Sequence, residues 1–366
     1  MCDERGTALA DSIVIRDVTK TVLTPDGPKS LLKGVDLHLE QGRIYGVIGL
    51  GGAGKSTLLK LIAGEIRPTS GTVELFGRSI RELDDADRTE LLANVAKVGV
   101  TPDLAPDQTI IESVAEVAQH AQERRDRLGE DKDKPRLEPS EIALHLLRAL
   151  GLRALRNLYP AQLSGGELQR ASVARALADE PRILLLDEVT GALDHLESRE
   201  ILRLIRQLVK ERNITVVLAT HEISAIKEIC DNVIVLDRGL VVEEGPAHAV
   251  IADPQADRTR AFVQSASSLG KVSDLLAGPD PVVDLRPGQK LISLRYVSED
   301  VSEPLVSLVT RKFGIDVNIM LADIQIVGKY PIGGIVGIFE GPERNIRDAI
   351  IFLRGKKVRV EVIAEN

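Results

Sequence analysis

The stretch from Tyr45 to Leu59, YGVIGLGGAGKSTLL, runs a short apolar segment into a glycine-rich turn and then into Lys-Ser-Thr. Few architectures accept a buried strand, a turn that needs glycine and a helix opening directly from that turn. Glycines let successive backbone N–H groups converge on anionic oxygens, and the helix N-terminus adds partial positive charge. The segment from Gly49 to Ser56 satisfies G-x-x-x-x-G-K-[ST] with strand before it and helix after it, the context that the motif requires. This reading places Gly49, Gly51, Gly52, Ala53, Gly54, Lys55, Ser56 and Thr57 around nucleotide phosphates. Lys55 would bridge the terminal phosphates and Ser56 would ligate Mg²⁺.

A phosphate loop of this kind needs an acid at the end of a neighbouring strand, and ILLLDE supplies one. Asp187 is the candidate for the Mg²⁺ shell and Glu188 for polarising the attacking water. A strand-end Asp-Glu pair by itself would more often cap a helix; the upstream loop reverses that preference. The segment Leu163 to Arg170, LSGGELQR, adds a second anion-binding helix N-terminus that the first loop does not need. A capping box explains Ser164 and Glu167. It does not explain Gly165 and Gly166 between them.

At 366 residues the chain is long enough for two domains. The 55 acidic against 47 basic residues, net −8, argue against a general nucleic-acid grip, so no nucleic-acid partner is expected. Cys2 and Cys230 are too few for a disulfide framework and lack metal-ligand spacing, which fits a reducing interior. The N-terminal residues are charged where a signal peptide needs an apolar run, and no window reaches membrane-spanning length. If a membrane matters, another chain is expected to supply it.

Alternation predicts antiparallel strands in SIVIRDVTKTVL and SLLKGVDLHLEQG, a strand pair in GTVELFGRSI and a buried strand in NVAKVGV. Helical patterning dominates from Ile110 to Ala178, interrupted by the mixed-charge run Ala121 to Glu141, read as a solvated helix end and loop. RILLLDEV, ITVVLATHE and VIVLDRGLVVEEG then alternate with helices, which calls for a parallel sheet. Past about Pro254 the composition turns to Pro, Gly, Asp and Ser, a connector. From Leu291 the order strand, helix, strand, strand, helix, strand is the split-βαβ, ferredoxin-like plan of a second small domain.

GLGGAGKST, LSGGELQR, ILLLDEVTGALD and LATHE, in this order, resemble the nucleotide-binding subunits of ABC transporters. The resemblance implies an α/β P-loop ATPase domain over 12–252 with an antiparallel β subdomain and a helical subdomain at about 102–180. It also implies a homodimer in which two chains bind head to tail around two ATP molecules, on the permease subunits of a membrane transporter. Carried onto this chain, Ser164, Gly165 and Gly166 would contact the γ-phosphate held by the partner's phosphate loop. His221 would contact the γ-phosphate within its own chain, and Asp194 would lie at the dimer seam. A core histidine is the competing reading of His221.

The C-terminal pattern, from RKFGIDVNIMLADIQIVGKYPIGGIVGIFEG to KVRVEVI, is similar to the NIL domain appended to the ATPases of methionine importers. That likeness implies a linker over 253–287, a regulatory domain over 288–366 and methionine as its effector. It places Asn318 where ligand sensing is expected, against the alternative of an Asn capping a strand edge. The subunit would then work peripherally on the cytoplasmic face of the cell membrane.

Two positions depart from the ABC pattern. The glutamine usual at the end of the strand VAKVGV aligns with Val100, which cannot ligate Mg²⁺, and Gln108 lies too far downstream without a loop shift. The aromatic residue that stacks on adenine aligns with Val22, an aliphatic contact that forgoes stacking energy. Loss of the relay glutamine leaves a second class open: a soluble ABC ATPase driving assembly or activation of a cytosolic complex, similar to the activation component of methyl-coenzyme M reductase.

Overall fold

A computed structural model describes residues 11–129, 137–191, 193–266, 285–296, 304–327, 330–356 and 358–365. Cys2, part of the mixed-charge run and the middle of the expected linker lie outside the described residues. The chain divides into two compact units, Met1–Val242 and Glu243–Asn366. The expected cassette boundary at 252 therefore falls inside the second unit.

The first unit opens with the hairpin β1 (Asp11–Thr24) and β2 (Gly27–Glu40), followed by β3 (Ile44–Ile48) and α1 (Lys55–Ile62). Then come β4 (Ser70–Leu75), β5 (Arg78–Ser79), α2 (Asp85–Leu92) and β6 (Val95–Val98). Three helices follow: α3 (Ile110–Leu128), α4 (Pro139–Ala149) and α5 (Gly165–Ala178). The core resumes with β7 (Ile183–Asp187), α6 (His195–Arg212), β8 (Thr215–Thr220), α7 (Ile223–Ile229), β9 (Asn232–Asp237) and β10 (Leu240–Pro246), within which the division between the units falls.

Two sheets share this unit. The antiparallel one has the order β2-β1-β4-β5, the larger one β10-β9-β3-β8-β7-β6. In the larger sheet β9, β3, β8, β7 and β6 run parallel. Every residue of β3, β7 and β8 is buried, as continuous apolar runs covered on both faces require. Ile13, Val35 and Leu75 of the antiparallel sheet, Leu58 and Ile62 of α1, and Leu185 and Val217 of the parallel sheet belong to one core cluster. The helix that opens from the phosphate loop is thus clamped between the sheets.

VIVLDRGLVVEEG, read from sequence as one strand signal, is two strands. Arg238 at φ 49° and Gly239 at φ 84° turn the chain between β9 and β10, the paired left-handed conformation of a tight hairpin. Apolar alternation continues across such a turn, so periodicity alone does not reveal it.

The second unit holds α8 (Ala247–Ala252), α9 (Asp257–Ser265), β11 (Gln289–Tyr296), α10 (Leu305–Phe313), β12 (Asp316–Val327), β13 (Tyr330–Glu340), α11 (Glu343–Gly355) and β14 (Val358–Glu365). Its antiparallel sheet has the order β12-β13-β11-β14, the ferredoxin-like arrangement. One core of Ile292, Leu294, Val309, Phe339, Ile346 and Leu353 joins sheet and helices. The strand β12 is an edge, and it leaves Ile319, Met320, Ile324 and Ile326 about half or more exposed.

Candidate functional site

The loop between β3 and α1 is built around two glycines with different reasons to be glycine. At Gly49 a Cβ would lie 2.4 Å from the Leu236 carbonyl oxygen and 2.8 Å from the Ala53 Cβ. At Gly54, φ is 113° and a Cβ would meet the Leu31 carbonyl oxygen at 2.9 Å. Gly51 and Gly52 are exposed with open space around them, so the loop faces outward there. The first-turn amides of a helix have no intrahelical acceptor. Gly54 supplies no side-chain cap, which leaves the amides at the start of α1 available to an anion.

Lys55 is buried, 7% exposed, with its Nζ donating to the Gly49 carbonyl at 2.9 Å and lying 3.2 Å from the Glu188 carboxylate. Such burial of an ammonium is tolerated only with partners of this kind. Ser56 Oγ donates to Asp187 Oδ1 at 3.1 Å, joining the helix start to the end of β7. His221 Nδ1 and Glu188 Oε2 are 2.8 Å apart. The His221 side chain is 61% exposed, which excludes a core histidine. Neither Asp187 nor Glu188 caps a described helix. Strands β3, β7 and β8 are adjacent and parallel, so their C-terminal ends bring Lys55, Ser56, Asp187, Glu188 and His221 together.

Glu188 stands at φ 53°, the left-handed region that costs a side-chain-bearing residue of order 1 kcal/mol. Its N–H donates to the Ala219 carbonyl at 2.9 Å and its carbonyl accepts from Gly191 at 3.2 Å. A strained backbone held by neighbours on both sides is a feature of functional positions.

The second expected anion site is arranged differently. Ser164 caps α5: its Oγ donates to Glu167 Oε2 at 2.8 Å, and the Ser164 N–H donates to the same oxygen at 2.8 Å. Those two bonds, the backbone one first, hold the Glu167 carboxyl below its ordinary value. Ser164 and Gly165 are exposed, and no described contact joins them to the phosphate loop. Asp194 is likewise the N-cap of α6, accepting from the N–H groups of Leu196 and Glu197, both at 2.8 Å. Arg170 pairs with Glu197, so the helix after LSGG is tied to the helix that Asp194 opens. Sequence reasoning missed that pairing, because nothing in the spacing of Arg170 and Glu197 brings them together.

Val100 is 64% exposed after β6, and Gln169, buried on α5, donates to the neighbouring Gly99 carbonyl at 3.2 Å. Val22 is half-buried near the end of β1, opposite Lys29 of β2. Asn318 is exposed on the edge strand β12, beside Ile338 of β13.

The ABC transporter model matches residues 32–191 and the NIL domain model residues 290–362. A methionine import ATP-binding protein of Enterococcus faecalis is 32% identical over 96% of this chain and 96% of its own length. Another, of Photobacterium profundum, is 34% identical over 96% of this chain and 98% of its own.

This chain belongs to the ABC transporter ATPases.

An ATP-binding cassette solved as a dimer in a post-hydrolysis state with ADP and Pi superposes at a TM-score of 0.57, with 31% identity over 64% of this chain and 98% of that one. A further dimeric bacterial cassette gives 0.57 and 32% over the same shares. The cassette fold and the appended NIL domain of this ABC ATPase agree with the expected fold class. No described helix is long and apolar enough to cross a membrane.

The residues fit a Mg²⁺-nucleotide. Among the described residues no cluster of three or more His, Cys, Asp or Glu could hold a metal alone. Ser56 and Asp187 offer a partial oxygen set, which suits Mg²⁺, an ion that keeps waters and takes substrate phosphate oxygens.

Proposed function

We propose that this chain is the ATP-hydrolysing subunit of a methionine-type ABC importer, working as a head-to-tail homodimer around two ATP molecules. The observation that carries the proposal is the constellation of Lys55, Ser56, Asp187, Glu188 and His221 in a chain whose relatives over nearly its full length are methionine import proteins.

The residues divide the work. The amides from Gly49 to Thr57 receive the phosphates at the uncapped start of α1. Lys55 leaves the Glu188 carboxylate for phosphate oxygens, freeing that carboxylate to take the proton of an attacking water. Ser56 and Asp187 would hold Mg²⁺, which when bound would supply positive charge against the phosphates. His221 keeps its hydrogen bond with Glu188 and offers its other ring nitrogen towards the γ-phosphate. Ser164, Gly165 and Gly166 present a second set of amides to the nucleotide of the partner, beside Asp194 at the seam. The exposure of Ser164 and Gly165 supports a role across a dimer, with Gly166 buried behind them at the start of α5.

In this reading 12–252 is the cassette, 253–287 the linker and 288–366 a regulatory domain. The exposed isoleucines of β12 support pairing of two such domains, and Asn318, exposed on the same edge, would meet an effector at that seam. Methionine shifts the equilibrium only by binding the open dimer more tightly than the closed one. The chain would act at the cytoplasmic face of the membrane. Purified chain should lose ATPase activity in millimolar L-methionine, and Asn318→Ala should weaken that loss. Turnover indifferent to methionine would remove the sensor role.

One observation favours a second reading. Val100, exposed where a relay glutamine is usual, cannot report metal and nucleotide state to a permease. A soluble ABC ATPase that drives a cytosolic assembly needs no such relay. Co-expression with candidate permease chains separates the two, because only the importer subunit copurifies with them and is stimulated by them.

A further inference from the structure

Thr190 and Glu222 have no role in the proposal above, yet they join the two loops that carry its central pair. Glu188 leads the loop after β7 and His221 the loop after β8. Thr190, two residues past Glu188, is 1% exposed, and its Oγ1 donates to Glu222 Oε2 at 3.2 Å. Glu222 directly follows His221.

Glu222 occupies the N-cap position of α7, but its side chain caps nothing there. Its carboxylate is directed across to Thr190 instead, and its own N–H is taken by Thr220 Oγ1 at 3.0 Å. Thr220 is fully buried. The His221 ring, in contrast, is mostly exposed, and its Nδ1 lies 2.8 Å from Glu188 Oε2. An exposed imidazole on a short loop keeps one rotamer only where the backbone beneath it is fixed. The Thr190 hydroxyl is the buried side-chain donor that ties this backbone to the loop of Glu188.

We infer that Thr190 and Glu222 form a strut that holds His221 against Glu188, making both positioning residues for ATP hydrolysis. The inference rests on the assignment of Glu188 and His221 proposed above. The strut also lies on the route to the seam. Leu193 N–H donates to the Thr190 carbonyl at 3.1 Å, and Asp194 comes next in the chain. A partner pressing on Asp194 therefore acts on the same short segment that fixes His221.

The test uses the purified full chain, with ATPase turnover measured well below the unfolding temperature of each variant. Thr190→Val keeps shape and β-branching but deletes the donor. It should lower kcat about tenfold or more, the scale of a small misplacement of a reacting group, with KM for ATP changed less than about twofold. Thr190→Ser should recover most of the rate, and Glu222→Gln, which still accepts from the hydroxyl, should stay close to wild type. Glu222→Ala should match Thr190→Val, and the double variant should be no slower than either single one, as members of one interaction behave. Thr190→Val turning over at the wild-type rate, or losses that multiply in the double variant, would overturn the strut. A rise in KM equal to the fall in kcat/KM would overturn it too, since that marks a binding or folding effect. Glu188→Gln is measured alongside. If that variant retains full turnover, the assignment of the base has failed; if it is inactive while Thr190→Val is normal, only the strut has.

Discussion

The helices α1 and α5 both begin where a phosphate is expected, yet their N-termini are opposites. At α1 the cap is Gly54, with no side-chain bond to the first turn and a buried lysine directly after it. At α5 the cap is Ser164, closed in a reciprocal box with Glu167 and exposed to solvent. One N-terminus is left unsatisfied inside a site that its own chain assembles; the other is satisfied, at rest, by its own side chains. The difference teaches that two helix N-termini in one chain can stand in opposite states, one open to an anion and one closed by its own side chains. Under the proposed function the closed one would act only when a second chain arrives.

The largest effect should fall on the preassembled side. Glu188→Gln removes the proton acceptor and should cut ATP turnover about 100-fold or more, the usual contribution of general base catalysis. Nucleotide binding, followed with a fluorescent ATP analogue, should persist. Unchanged turnover would mean that the geometry around Lys55 and His221 serves binding alone.

Ser164→Ala probes the idle side with two readouts. Loss of the cap should destabilise the chain by about 1 kcal/mol, seen as a lowered Tm. If Ser164 also meets the nucleotide of a partner, turnover should fall further than the stability change explains. A variant less stable but fully active would reduce α5 to an ordinary capped helix.

Val22→Tyr returns to the first site. Restoring an aromatic ring should tighten ATP binding by about 1 kcal/mol, the scale of a ring contact beyond its buried area. It should also widen the preference for ATP over GTP in competition assays. Equal affinities in both chains would place Val22 away from the base.

The smallest expected effect is on pH dependence. The Ser164 N–H and hydroxyl lower the pKa of Glu167 in the folded chain from its ordinary 4.5. The box therefore contributes its full stability above that value and loses it as pH falls through the lowered one. NMR titration of the Glu167 carboxyl should report a midpoint below 4.5, and Ser164→Ala should raise it. The start of α1 has no carboxylate in its cap and should show no matching loss.

Much of this is legible in the sequence, and the reasons differ by element. The phosphate loop, the acid at the end of β7 and the capping box of α5 are local patterns, set by residues within a few positions of one another. The split of VIVLDRGLVVEEG into two strands was not legible, because a turn through Arg238 and Gly239 leaves the apolar alternation on either side intact. The change of composition near Pro254 marks where the connector begins, and the division of the compact units at Val242 and Glu243 is a separate feature. Compactness follows contacts across the chain, which composition does not encode.

The sequence by itself determined the kind of molecule this is: an ABC ATPase with an appended ferredoxin-like domain, a glycine-rich loop opening α1 and an acidic pair at the end of β7. Those features depend on backbone conformation and side-chain type at fixed short spacings. Only the tertiary structure decided which side chains meet. The 3.2 Å approach of Lys55 to Glu188, the pairing of Arg170 with Glu197 and the bond from Thr190 to Glu222 all link distant segments. The physical reason is the parallel sheet, whose register brings the ends of β3, β7 and β8 to one edge. Buried strands set that register through packing on both faces, a property of the assembled core that no short stretch carries alone.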